Sequence, residues 1–133
     1  MAAIVRSALF LICAAAFAQT PADVVTFLRG TATDLGNAHD FTPHNFLDRF
    51  DSDMPHYVEL SNAVQELAGR WEVGSAIEIV TDSGDDRKRT MQLDWVLEVQ
   101  DHRPRREIVK VTIEKRGKKW MFTSFEPVSL FQY

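Results

Sequence analysis

The spacing of apolar residues changes part-way along the chain. In the first part, apolar side chains recur three and four positions apart, as they do on one face of an amphipathic helix. Beyond Trp71 they alternate with polar side chains, as they do in half-buried strands. This change predicts a group of helices followed by a group of strands, which is the order of an α+β domain.

Three helices are predicted before the change of period. The first begins at Thr20-Pro21, where Thr20 can cap the helix and Pro21 suits its first turn. A second start signal follows at Thr42-Pro43, and the third helix begins at Tyr57. Gly30 falls in the middle of the first helix, where glycine costs about 1 kcal/mol relative to alanine. We therefore expect another element to approach the first helix closely at this position.

Four antiparallel strands are predicted over residues 71–81, 90–100, 107–115 and 118–131. Each has one apolar face, so the helices are expected to cover one side of the sheet. The predicted fold is three N-terminal helices packed on one face of a curved four-stranded antiparallel sheet, in the shape of a cone. Strict alternation in the last strand places Trp120 and Phe122 on one face and Phe125 on the other. An aromatic residue on each face predicts a second cover, supplied by a partner.

Residues 1–18 have the layout of a secretory signal peptide. Arg6 precedes an apolar run over residues 8–16, and Ala16 and Ala18 are small residues at the positions that a signal peptidase reads. We expect cleavage near Ala18-Gln19, a domain over residues 19–133, and export to the periplasm or the extracellular space. An uncleaved anchor is disfavoured because the run is shorter than the roughly 20 residues that span a bilayer. No stable membrane insertion is expected after cleavage.

The composition excludes some classes of binding partner and of catalytic chemistry. The single cysteine lies in the signal segment, so the domain is expected to contain no disulfide and no thiol nucleophile. The net charge of −4 argues against nucleic acid as a partner. Basic residues at 87–89 and 115–119 flank two predicted hairpins, which lie at the same end of an antiparallel meander. They could form a contact for an acidic partner or simply be solvated strand ends that guard the sheet edges.

The order of the elements and several segments resemble the nuclear transport factor 2-like superfamily, a cystatin-like α+β cone. This fold is shared with ketosteroid isomerases and polyketide-cyclase-like proteins. The resemblance covers the whole predicted domain and is strongest to secreted bacterial members. It is carried by the helix from Asp23, the segment 46–57 (FLDRFDSDMPHY), the strand residues Leu93 to Trp95, and the closing segment 119–127 (KWMFTSFEP).

The resemblance implies where catalytic residues would be found. Isomerase-like members use a tyrosine from the first helix and carboxyl groups in an apolar pocket. Here the first helix carries Phe27 and Leu28 at its centre and no tyrosine. Asp94 is the candidate carboxylate, but alternation places it opposite Trp95, so only a break in register would bring it inside. His44 and His56 are candidate general bases at the mouth of the cone.

Ligand-binding candidates are the residues expected to line the cone: Phe27, Tyr57, Trp95 and Phe125. Tyr57 could donate a hydrogen bond to a ligand, or it could pack in the core with its hydroxyl at the surface. The loop between the helices is rich in histidine and aspartate but has no recognised metal-ligand spacing. We predict no metal and no cofactor.

These expectations combine into a secreted, non-catalytic small domain. We expect it to bind a small apolar ligand or a protein partner and to form a homodimer through its sheet. The resemblance implies the dimer, and Val80 and Val96 on otherwise polar strand faces give it some support. The alternative is a small isomerase, dehydratase or cyclase that uses a single acid–base residue in the cone.

Overall fold

The computed structural model describes residues 20–133, so the predicted signal segment lies outside the described residues. The elements in chain order are α1 (Ala22–Gly36), α2 (His44–Leu47), α3 (Tyr57–Arg70), β1 (Val73–Gly84), β2 (Lys88–Val99), β3 (Arg105–Arg116), β4 (Lys119–Glu126) and a final 3-10 turn (Val128–Phe131). This part of the chain confirms the predicted α+β class, with three helices followed by a four-stranded antiparallel sheet.

The sheet is a meander in which each strand pairs with the next, in the order β1-β2-β3-β4. Every pairing is antiparallel. The strand β2 alternates as predicted, because Met91, Leu93, Trp95 and Leu97 are buried whereas Thr90, Gln92 and Glu98 are exposed. We call the face that carries Trp95 the inner face and the opposite one the outer face.

The helix α1 buries one stripe of side chains, of which Val24, Phe27 and Leu28 are members. The predicted cap at Thr20 is wrong, because Pro21 occupies the N-cap position and makes no side-chain capping bond. The Thr20 hydroxyl instead donates to Asp82 Oδ2 at 2.7 Å, which ties the start of α1 to β1. The expected close approach at Gly30 is confirmed, since a Cβ there would lie 2.7 Å from Arg49 Nη2.

The last strand is shorter than predicted. It ends at Glu126, and residues Val128–Phe131 form a 3-10 turn instead of continuing the strand. Pro127 lies between the two elements, and proline has no backbone N–H to donate to a ladder. The prediction overlooked this interruption because apolar residues continue on its far side.

A bulge in β4 overturns the predicted separation of its aromatic residues. Thr112 pairs with Ser124 and Ile113 pairs with Phe122, which leaves Thr123 as an extra residue. The extra residue of a bulge shifts the alternation of the side chains that follow it by one position. Phe122 and Phe125 therefore point to the same side of the sheet. Both are buried, with 0% and 2% of their surface exposed. The second cover inferred from an aromatic residue on each face of this strand is therefore not required.

One aromatic cluster fills the space between the inner face and the helices. Its largest fully buried side chains include Phe46, Trp95, Phe122, Phe125 and Phe131. The ring centroid of Phe131 lies 5.4 Å from that of Phe125 and 5.7 Å from those of Phe46 and Trp95. Residues of α2, of the sheet and of the final turn thus pack into a single core.

The guanidinium group of Arg105 binds several carbonyl groups of the C-terminal segment, residues 127–133. Arg105 Nη1 donates to the carbonyl oxygens of Ser129 at 3.0 Å, Leu130 at 3.2 Å and Gln132 at 2.8 Å. The same guanidinium lies 3.9 Å from the centre of the Tyr133 ring. The strand β3 therefore holds this segment against the core.

Candidate functional site

The four ligand-binding candidates occupy the core or its border. Trp95 and Phe125 are buried side by side, with ring centroids 5.6 Å apart. Trp95 Nε1 donates to Ser75 Oγ at 2.8 Å, so its polar edge is satisfied within the protein. Phe27 packs on Phe122 at 5.0 Å, and Tyr57 is half-buried at the start of α3. The interior around these residues is occupied by other side chains, and their ligand-binding role stays a prediction.

The candidate carboxylate Asp94 lies on the outer face, where alternation places it. Arg106 Nε donates to its two carboxylate oxygens at 2.9 and 3.0 Å, and Arg106 Nη2 donates to Oδ2. This bidentate bonding lowers the pKa of Asp94 below its ordinary value. Asp94 therefore serves as the ionised half of a surface ion pair.

The two candidate histidines are both exposed. His44 opens the short helix α2. His56 adopts a left-handed conformation with φ of 63° just before α3, and its Nδ1 lies 3.4 Å from Glu59 Oε1. Among residues 20–133, no group of three or more histidine and carboxylate side chains is placed to hold a metal ion.

A groove of about 730 Å³ lies between α1, α2 and the β3–β4 hairpin. We call it the hairpin groove. Its lining combines carboxylates, basic side chains and aromatic surface: Asp23, Thr26, Phe27, Gly30, Asp34, Asn45, Asp48, Arg49, Lys118, Lys119, Trp120 and Met121.

Arg49 forms one wall of the hairpin groove. Its Nε donates to Asp34 Oδ2 at 2.7 Å, and its Nη1 donates to the Phe27 carbonyl at 3.3 Å. The guanidinium also lies 5.5 Å from the centre of the Phe27 ring. The side chain passes directly over Gly30, so the absence of a Cβ at that position makes room for this wall.

Asp23 joins the helical side of the groove to the hairpin. Its Oδ2 accepts hydrogen bonds from Trp120 Nε1 at 2.9 Å and from Lys115 Nζ at 3.1 Å. The Trp120 bond is the main cause, and the Lys115 bond the second, of a pKa below the ordinary aspartate value. Asp23 is therefore ionised at neutral pH and fixes the Trp120 ring in the groove.

The two basic hairpins are adjacent, as predicted, because Lys115 N donates to the Arg87 carbonyl at 2.8 Å. Several of their charges are neutralised within the protein. Ion pairs join Arg89 to Asp82, Lys115 to Asp23 and Arg116 to Asp51. Lys118 and Lys119 are exposed and have no ion-pair partner among the described residues. Arg87 and Lys88 on the neighbouring hairpin are also exposed and without an ion-pair partner among residues 20–133, so free positive charge extends from the rim of the hairpin groove to that hairpin.

One carboxylate on the inner face, Glu107, is not among the candidates predicted from the sequence. Glu107 pairs with Trp95 in the β2–β3 ladder, and its Oε2 is buried without a hydrogen-bond partner. The Tyr133 hydroxyl is also buried and unpartnered. Burial raises the pKa of Tyr133; the nearby Arg105 guanidinium partly opposes this effect, and Glu107 adds to it. The signal was available, because alternation backwards from Val109 places Glu107 on the inward side of β3.

Comparison with known proteins identifies the fold. No protein-family model and no curated protein sequence matches the chain. The structure is similar to that of Bdellovibrio bacteriovorus Bd1075, with a TM-score of 0.64 and 12% identity over 78% of this chain. The aligned region is 38% of the Bdellovibrio chain, so this chain spans well under half of that protein.

A second similar structure belongs to a Nostoc punctiforme protein of unknown function with a cystatin-like fold. It matches with a TM-score of 0.57 and 14% identity, over 77% of this chain and 85% of the other. The fold is therefore a cystatin-like α+β fold. Within residues 20–133, no helix combines the length and the apolar character required to cross a membrane.

Proposed function

We propose that this chain is an exported, non-catalytic binding domain of the nuclear transport factor 2-like type, which engages a protein partner through the hairpin groove. The observation that carries the proposal is the contrast between the interior and the surface. Aromatic side chains pack against one another on the inner face, whereas a groove of about 730 Å³ is open beside them. Space for a partner therefore exists on the surface.

The lining of the groove supports a protein partner over a small apolar ligand. Trp120 and Phe27 supply apolar surface at its floor, and Asp48, Lys118 and Lys119 supply charge at its rim. An apolar centre within a polar rim is the usual anatomy of a protein interface. A small apolar ligand would leave these charges without a counterpart.

The outer face supports the proposed homodimer. Ile108 and Val80 are each 52% exposed, and Val96 is half-buried on the same side as Ile108. A second copy of the chain would cover these side chains through sheet-to-sheet contact. Groove binding and dimer formation use different surfaces, so each can be tested without the other.

The acid–base alternative retains one inner-face candidate, Glu107. That residue does not line the hairpin groove. Asp94, His44 and His56 are all on the outside of the domain. The observed arrangement therefore favours binding over catalysis.

Site-specific photocrosslinking tests the proposal, because the domain has no cysteine of its own. Lys118→Cys places a cysteine-linked photocrosslinker at the groove rim, and Lys110→Cys places the same reagent on the outer face. In the exporting host, the Lys118 probe should give an adduct with another protein, and Asp48→Lys should reduce its yield. The Lys110 probe should give adducts of twice the mass of the chain. Equal adducts from both probes, or none from Lys118, would rule out groove binding.

A further inference from the structure

Met121 is the methionine that solvent reaches most easily in the described part of the chain. Met91 is fully buried and Met54 is 6% exposed, whereas Met121 is half-buried in β4 and lines the hairpin groove. The oxidation of a sulfur-containing side chain depends on whether an oxidant can reach the sulfur. A dissolved oxidant would therefore react with Met121 before it reacts with the other two.

The guanidinium of Arg116 contacts the sulfur of Met121. In the β3–β4 ladder Met121 pairs with Glu114, and Arg116 is the next residue on the same face of β3. Arg116 Nη1 donates to Met121 Sδ at 3.5 Å, and Arg116 Nη2 donates to Asp51 Oδ2 at 2.7 Å. The backbone N–H of Asp51 in turn donates to the Phe122 carbonyl of β4 at 2.8 Å. Arg116 therefore joins β3 to Met121 of β4 and to the segment that borders β4.

The contact between Arg116 and Met121 is weak in the thioether form and would be strong in the sulfoxide form. A thioether sulfur is a poor hydrogen-bond acceptor. Oxidation converts the apolar side chain into a polar one, which usually disrupts its surroundings because the new oxygen has no partner. Here the oxygen would meet a guanidinium that already points at the sulfur, and hydrogen bonds from a charged donor are about twice as strong as neutral ones. Lys119, two residues before Met121 on the same face of β4, adds a second positive charge nearby.

We propose that Met121 is a site of reversible oxidation by hydroperoxides and that Arg116 binds the sulfoxide oxygen, so that the domain stays folded in both forms. The sulfur lone pair attacks one peroxide oxygen, the O–O bond breaks, and the other oxygen leaves as water or an alcohol after proton transfer. The sulfur loses two electrons and the peroxide gains them. A thiol-dependent methionine sulfoxide reductase restores the thioether. Met121 lines the hairpin groove, so oxidation changes its surface from apolar to polar whether or not a partner binds there.

Treatment of the folded protein with hydrogen peroxide, followed by mass spectrometry of its peptides, tests the selectivity. Met121 should gain one oxygen atom at least about tenfold faster than Met54 and Met91, which are internal controls in the same sample. In the urea-unfolded chain the three methionines should react at similar rates, because the fold sets the difference. A methionine sulfoxide reductase with dithiothreitol should return the Met121 peptide to its original mass.

Urea unfolding before and after oxidation tests the role of Arg116. Oxidation should leave the urea midpoint of the parent within about 0.2 M of its original value and lower that of Arg116→Leu by about 0.5 M. The Arg116 side chain is 52% exposed, so the variant is expected to fold. Asp51→Asn is the matched control, because it removes the ion pair but keeps the guanidinium, and its midpoint should respond to oxidation as the parent does. Equal oxidation rates of the three methionines in the folded protein, or an equal fall of the midpoint in the parent and in Arg116→Leu, would overturn the proposal.

Discussion

Replacing Gly30 with alanine sets two effects of similar size against each other. Alanine is favoured over glycine inside a helix by about 1 kcal/mol. The new Cβ, however, would lie 2.7 Å from Arg49 Nη2 and 3.2 Å from Arg49 Cζ. Both distances are too short for non-bonded atoms, so the guanidinium must move away from α1.

The structure indicates what this movement would cost. Arg49 would lose its 2.7 Å bond to Asp34 and its 3.3 Å bond to the Phe27 carbonyl. The Arg49 and Asp34 side chains are 27% and 23% exposed, so solvent only partly screens their attraction. Charged hydrogen bonds in such a setting contribute about 1–2 kcal/mol together. We therefore expect Gly30→Ala to lower the free energy of unfolding by up to about 1 kcal/mol, despite its better helix propensity.

A double-mutant cycle in urea separates the two effects. In an Arg49→Met background the obstacle is gone, and Gly30→Ala should raise the free energy of unfolding by about 1 kcal/mol. The same substitution thus changes sign between the two backgrounds. Gly69→Ala in α3 is the control, because a Cβ there meets nothing within 4 Å. It should have the same small effect with either residue at position 49.

Equal stabilisation by Gly30→Ala in the two backgrounds would refute this prediction. If Gly30→Ala stabilises the protein equally with arginine and with methionine at position 49, the guanidinium can move at no cost. The glycine would then have no packing role, and the wall of the hairpin groove would be less rigid than its contacts indicate.

Three further predictions follow from described contacts. Arg105→Met removes three hydrogen bonds to backbone carbonyls and should lower the free energy of unfolding by about 2 kcal/mol. It should also speed amide hydrogen exchange over residues 128–133. Arg103 is exposed, and Arg103→Met should change neither quantity. Asp94→Asn should make the free energy of unfolding fall less steeply as the solution is acidified. The folded pKa of Asp94 lies below 3.8, so its ion pair stabilises the protein above about pH 4 and is lost as the pH falls further. Deleting Thr123 removes the extra residue and leaves Phe125 on the inner face opposite Val111, so it should lower the free energy of unfolding by no more than about 1 kcal/mol, measured by urea unfolding.

Each of these predictions has a result that would contradict it. Unchanged exchange in Arg105→Met would mean that Phe131 alone holds the C-terminal segment. An acid unfolding profile of Asp94→Asn identical to that of the parent would show that the Arg106 pair has no net effect on stability. A Thr123 deletion that costs about 3 kcal/mol or more would show that the bulge itself is needed to hold the aromatic side chains of β4 in the core.

The helices and strands could be predicted because their periods are local properties of the chain. The buried stripe of α3 and the alternation of β2 are explicit in the spacing of their apolar residues. The end of β4 was overestimated because Pro127 interrupts an otherwise apolar run. The bulge at Thr123 was missed because a fixed period of two cannot represent an inserted residue.

The hairpin groove was harder to predict from the sequence than the fold. Its central contact joins Asp23 to Trp120, which are 97 residues apart, and no local pattern connects them. Asp94 could be placed on the outer face by alternation alone, but its partner Arg106 depends on the β2–β3 register. The inward position of Glu107 was predictable from the same alternation, but the burial of its Oε2 was not.

The bulges also bear on how copies of this protein can meet. Val80 is an extra residue in β1 just as Thr123 is in β4, and these two strands are the free borders of the sheet. At Phe122 the border of β4 is further covered by the segment Arg49–Asp51. Irregular borders do not template the straight, continuous pairing on which fibrils grow. A crowded population of this domain should therefore resist ordered aggregation through its sheet edges.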